Sequence, residues 1–146
     1  MDSNLASRIA EYMSKCAICT LATASTDGEP SASTVYFKNA GTDIYFNTGR
    51  DTQKVRNITL NPRVAIAMQE VSAPKTDQEI KGIQYIGKAR ILSDADITEV
   101  PKAVVARHRA FNSSYPGTSV VVKVTPTKIY LIDYSHGFRH RDVLQF

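Results

Sequence analysis

The sequence predicts a mainly β fold, an antiparallel β-barrel with peripheral helices, and three observations carry that expectation. Short apolar or alternating runs recur along most of the 146 residues, turn-forming residues separate them, and only two or three segments show helical spacing. The length is close to the usual size of one globular unit and no linker interrupts it, so residues 1–146 are expected to form a single domain.

Taken in order, Leu5, Ile9, Tyr12 and Met13 recur at helical spacing after Ser3, a candidate cap, and predict an amphipathic helix up to about Lys15. Cys16 to Thr23 is short, apolar and turn-bounded, as a buried strand is. Ser25-Thr-Asp-Gly-Glu-Pro30 turns the chain into a second strand, Ser31 to Lys38, and Asn39 to Thr42 turns it again into Asp43-Ile-Tyr-Phe-Asn47. Asp51 or Thr52 is placed to cap a short helix that buries Val55 and Ile58 and stops at Asn61-Pro62. A fourth strand, Val64 to Gln69, leads into a polar loop through Glu79. The fifth strand, Ile80 to Leu92, carries Gly82 and Gly87, which mark a bulge or the close approach of another backbone. Ile97 to Phe111 reads as helical. Val120 to Val124 and Lys128 to Asp133 close the series as strands six and seven, joined at Thr125-Pro126.

Composition removes several classes of function. With 42% hydrophobic and 22% charged residues the chain is neither disordered nor a disulfide-stapled miniprotein. Its apolar stretches fall far short of the ~18 residues that a spanning helix needs, and Met1-Asp2-Ser3-Asn4 opens no export signal, so a cytoplasmic protein is expected. Eighteen Lys and Arg against 14 Asp and Glu give a net charge of +4. These charges are spread without a long basic block, which suits an anionic small ligand better than nucleic acid.

Cys16 and Cys19 form a Cys-x-x-Cys pair, but in a strand residues three apart face opposite sides, so the pair is read as structural. His108, His136 and His140 lie in no metal-binding spacing, and Gly137 separates the last two, so no metal site is expected. Gly-x-x-x-x-Gly-Lys-Ser/Thr, Gly-x-Gly-x-x-Gly, Gly-x-Ser-x-Gly and His-Glu-x-x-His are all missing, which leaves nucleotide hydrolysis, a dinucleotide fold and hydrolysis by serine or zinc without support.

The most informative segment is Asn47-Thr-Gly-Arg-Asp-Thr-Gln-Lys54. It sets a glycine, hydroxyls and two cations, Arg50 and Lys54, between a strand end and a helix start. Unpaired N–H groups and the positive end of the helix dipole favour a phosphate there. A capped helix with surface cations is the plain alternative.

The order of Thr34-Val-Tyr-Phe37, Ile44-Tyr-Phe-Asn47, Thr52-Gln-Lys54, Asn57 and Asn61-Pro-Arg-Val-Ala65 resembles the pyridoxamine 5'-phosphate oxidase-like family of FMN-binding split barrels, from about Cys19 to Asp133. The resemblance implies a six-stranded antiparallel split barrel of the flavin-reductase type and a homodimer with FMN in two clefts at its interface. It implies that Ser33, Thr34, Val35 and Tyr36 lay their backbone along the flavin ring. Asn47 and Thr48 then hold ribityl and phosphate, and Thr52, Gln53 and Lys54 bind the phosphate. Gln53 stands where the oxidases often carry Arg, leaving Arg50 to compensate, and Gln84 falls on a flavin-contacting strand. True oxidases end in a Trp-containing segment and an Arg-Leu-His-Asp-Arg tract. This chain has no Trp and ends in Asp133-Tyr-Ser-His-Gly-Phe-Arg-His-Arg-Asp142, where Phe138 and Arg141 occupy related places or belong to a solvated tail. The activity implied is flavin-dependent oxidoreduction of an unidentified small molecule. A non-catalytic flavin- or haem-binding module and a deazaflavin (F420)-dependent reductase are the alternatives.

Overall fold

A computed structural model describes residues 2–70 and 72–146. In chain order the elements are α1 (Ser3–Ser14), β1 (Ile18–Ala24), β2 (Pro30–Tyr36), β3 (Lys38–Ala40), β4 (Asp43–Gly49), α2 (Gln53–Leu60), β5 (Arg63–Met68), β6 (Lys81–Ile91), α3 (Lys102–Ser114), β7 (Ser119–Asp133) and β8 (Arg141–Gln145), with short 3-10 turns at Asp77–Glu79, Asp94–Glu99 and Tyr134–His136. One eight-stranded sheet runs in the order β2-β1-β5-β6-β7-β4-β3, with β8 added alongside β7. Its recorded strand pairs are antiparallel. The sheet curls until β2 approaches β4, closing a barrel whose two ends are left apart.

The expected mainly β split-barrel architecture is therefore present, with eight strands where six were implied. The additions are the three-residue β3 and the carboxyl-terminal β8, which sequence reading passed over. A second difference concerns Pro126. Instead of separating two strands it lies inside the 15-residue β7. Pairing with β6 steps from Ile86↔Lys128 to Gly87↔Pro126, so Thr127 is an extra residue without an opposite partner. A bulge is where a residue lacking an N–H fits inside a sheet. The Thr127 hydroxyl donates to Ile86 O at 3.1 Å and holds the offset.

Alternation sorts the barrel's interior. Leu21, Ile44, Phe46, Ile66, Tyr85, Val122, Val124, Ile129 and Leu131 point inward and are fully or almost fully buried. α1 closes part of this core with Leu5, Ile9, Tyr12 and Met13, and α2 adds Val55 and Ile58. The cap of α1 is Asp2 rather than Ser3: the Asp2 carboxylate accepts from Leu5 N at 3.0 Å, and an extended residue just before the first helical one is what a cap requires. β4 is buried on both faces, because α3 lays Val104 against Tyr45, Val121, Leu92 and Val100 outside the barrel. That explains a continuous apolar run where alternation would otherwise be expected. Pro101 divides the expected helix over residues 97–111 into a 3-10 turn and α3.

Cys16 and Cys19 are both buried in the same core, against the expectation that they face opposite sides. Cys16 precedes β1 and is not bound by its alternation; its Sγ lies 3.6 Å from Tyr12 O. Both thiols are free, and burial pushes Cys19 up to about 12. No helix of the described residues is long and apolar enough to cross a membrane.

Candidate functional site

Two groups of candidate residues emerge, one at the start of α2 and one on the outer face of the sheet. α2 follows β4 directly, so Asn47, Thr48, Arg50, Thr52, Gln53 and Lys54 are close in space because they are close in sequence. Thr52 occupies the cap position, yet its hydroxyl donates back to Gly49 O at 2.9 Å and makes no cap hydrogen bond. The Asp51 carboxylate is drawn to Arg56 at 2.9 Å. Both expected side-chain acceptors thus turn away from the first-turn N–H groups of α2. The helix ladder begins only with Arg56 N donating to Thr52 O at 3.1 Å. This end of α2 is therefore free to meet an anion.

The side chains around it divide their roles. Lys54 is half-buried and, among the described residues, forms no ion pair. The Nε of Arg50 donates to Gly117 O at 3.0 Å and its backbone N to Thr118 O, anchoring the loop to the turn before β7. Gln53 is engaged at both ends of its amide: Nε2 donates to Asn57 Oδ1 at 2.9 Å, and Oε1 accepts from Arg56 at 3.3 Å. Asn57 is buried and its Nδ2 donates to the buried Thr23 hydroxyl at 3.0 Å.

β2 forms an edge of the sheet, paired only to β1, so one side of its backbone is unpaired. Val35 turns into the core and offers a binding partner only its backbone, while Ser33 is half-buried. Thr34 stands opposite Thr20 on the outer face. Tyr36, opposite Ile18, has the Arg107 guanidinium 4.2 Å and the Lys38 ammonium 5.6 Å from its ring centre.

The outer face of β1, β5 and β6 bounds an open cleft of about 810 Å³, lined by Ile18, Thr20, Thr34, Ala67, Gly82 and Gln84, among others. One row of opposed residues crosses it, from Thr34 through Thr20, Ala67, Gln84 and Tyr130 to Val143. Arg141 lies 4.9 Å from the Tyr130 ring centre, so the tertiary structure brings Gln84 and Arg141 to one face. Gly82 lines this cleft where β6 runs close to the end of β5: a Cβ there would lie 3.1 Å from Met68 O. Phe138 is 78% exposed and packs edge-on to Tyr134 at 5.8 Å, in the turn before β8 and away from any core contact.

Sequence reading placed His108 in no metal-binding spacing but gave it no partner; it is buried with its Nδ1 2.9 Å from Ser119 Oγ, while Asn112 Oδ1 accepts from Ser119 N. Burial holds His108 below its ordinary value and keeps it neutral, so it serves as a clamp between α3 and β7. Sequence reading missed Thr23. A polar residue inward in an apolar strand is the signal for Thr23, but its partner lies 34 residues on. His136 and His140 stand beside Asp133 and Asp142, at 3.5 and 3.3 Å.

A search among curated proteins found no significant match. Solved structures share the fold. A haem-binding protein from Mycobacterium smegmatis superposes with a TM-score of 0.76 at 20% identity, over 96% of this chain and 57% of that one. An FMN-binding protein from Nostoc punctiforme, related to pyridoxamine 5'-phosphate oxidase, does so with 0.66 at 13% identity, over 96% of this chain and 95% of the other. An F420 reductase gives 0.60 at 22% identity over 82% and 93%. The sequence profile of the pyridoxamine 5'-phosphate oxidase family matches residues 5–133, from α1 to the end of β7, and the chain belongs to that family.

Proposed function

We propose that this protein is an FMN-binding oxidoreductase acting on a small molecule, working as a homodimer in the cytoplasm. The observation that carries the reading is the start of α2, where, among the described residues, the first-turn N–H groups have no side-chain acceptor and Lys54 has no carboxylate partner. An anion of phosphate type satisfies both. The unpaired edge of β2 supports it, since a strand edge presents alternating donors and acceptors to the rim of a flat polar ring. When bound, flavin accepts and returns electrons, so no general base is required of the protein. The chain's own groups then bind and orient: Lys54 and the α2 amides hold the phosphate, and β2 aligns the ring. Thr34 and Gln84 face the cleft where a substrate would lie.

The second copy is supported by the outer sheet face. Ile18, Ile86 and Val143 are exposed there around the cleft, an apolar surface that a lone chain leaves in water. Haem and F420 neighbours make cofactor identity the decisive measurement. Absorbance of the purified protein, with light scattering on the same sample, is expected to give a flavin spectrum and twice the chain mass. A Soret band, a deazaflavin spectrum, or a monomer that holds FMN tightly would overturn the corresponding part of the reading.

The protein is not expected to be an efficient pyridoxamine phosphate oxidase. Ser135-His-Gly-Phe-Arg-His140, in the turn before β8, differs from the Arg-Leu-His-Asp-Arg tract of the oxidases, and a site that lacks a substrate's polar partners loses discrimination heavily. Oxygen uptake by the FMN-loaded protein with pyridoxine or pyridoxamine phosphate should stay well below about 1 s⁻¹, the low end of ordinary enzymes. Faster turnover counts against this view.

A further inference from the structure

α2 has eight residues, about two turns, and a helix that short is not stable by itself. Its cap residue makes no cap hydrogen bond, so tertiary contacts must set its position. Val55 and Ile58 supply apolar contact, which selects the face of α2 turned to the core but, being non-directional, fixes its fine rotation only loosely. The directional contact is Asn57. Its amide is 3% exposed and bridges the Thr23 hydroxyl on β1, at 3.0 Å, to Gln53 in the first turn, at 2.9 Å. Lys54 precedes Asn57 by three residues and so lies on an adjoining part of the same helix face. Holding Asn57 inward therefore keeps Lys54 at the half-buried rim instead of swinging it into water.

We propose that Thr23 and Asn57 are positioning residues for the anion site, forming a buried polar bridge that sets the rotation of α2 and so aims its first-turn amides and Lys54 at a phosphate. The inference rests on the flavin reading above and adds to it which residues confer preference for a phosphorylated ligand. It also gives Gln53 a place, its amide forming the outer end of the bridge. Arg56 and Asp51 continue the chain of contacts over the exposed surface.

The test compares FMN with riboflavin, which has the same ring and ribityl chain without the phosphate. Thr23→Val removes the hydroxyl while keeping the shape, so Asn57 loses its acceptor. FMN affinity is expected to fall about tenfold, the scale of one net hydrogen bond, with riboflavin affinity unchanged. Thr23→Ser restores the hydroxyl and should restore FMN binding. Thr23→Ala, which leaves room for a water, is the second variant should the valine protein fail to fold, and should show the same selective loss. In a Lys54→Gln background the Thr23→Val effect should shrink, because aim and charge act as one unit. Equal losses for both flavins, or no loss for either, would overturn the proposal and leave the bridge as packing. A parent that binds FMN no better than riboflavin would be seen before any substitution, and would remove the phosphate-site reading itself.

Discussion

Replacing Lys54 with alanine is expected to weaken FMN binding about 10- to 100-fold, the range of a charge-assisted hydrogen bond worth about 1.5–3 kcal/mol. The effect is large because, of the cations of this segment, Lys54 is the one that no protein group holds among the described residues. Arg50 is tied to the Gly117 carbonyl, Arg56 to Asp51, and Gln53 stands where an oxidase often has a second cation. Lys54 is half-buried, so water compensates for its loss less completely than at an open surface. Titration of apoprotein followed by flavin fluorescence is the measurement, with Lys54→Arg expected to keep most of the affinity. Riboflavin should bind parent and alanine variant alike. Equal FMN affinity in the two proteins would take Lys54 out of the site.

Gly87→Ala is the second large effect, and it falls on stability. A Cβ at Gly87 would sit 2.5 Å from Thr125 O and 3.0 Å from Cε1 of Tyr85. Neither neighbour can yield. Thr125 lies in β7 beside the bulge, and the Tyr85 ring is fully buried with its hydroxyl donating to Thr42 O at 2.7 Å and lying 3.2 Å from Val124 O. Accommodating the methyl requires the β6–β7 pairing to separate where it changes register, at a cost of about 3 kcal/mol or more. For a chain of this length that corresponds to a fall in Tm of roughly 10 °C by circular dichroism. An alanine protein melting within about 2 °C of the parent would show that the bulge has slack, since a loss that small is under about 1 kcal/mol.

The sequence by itself determined the class of fold and the local make-up of the segment in which the phosphate site is proposed. Period-two apolar patterns, turn residues and one amphipathic helix are local features, and each acts through neighbours a few residues away. The segment from Asn47 to Lys54 was legible for the same reason: a strand end, a glycine and a helix start are contiguous, and only the next turn of chain is needed to build them. What the tertiary structure alone decided depends on pairings between distant segments. Pro126 reads locally as a break, yet the bulge opposite Gly87 lets β7 run through it. Arg50 and Gln53 read locally as phosphate ligands; the fold also gives each a partner from outside that reading, Arg50 Nε donating to Gly117 O and Gln53 Nε2 to Asn57 Oδ1. Thr34, Gln84 and Arg141 come from three separate strands and share one face only because β2, β1, β5, β6, β7 and β8 are neighbours in register. The bridge from Thr23 to Asn57 joins two residues of ordinary local character. Its meaning comes from burial, since a buried amide must find a partner, and here the partner ties α2 to β1.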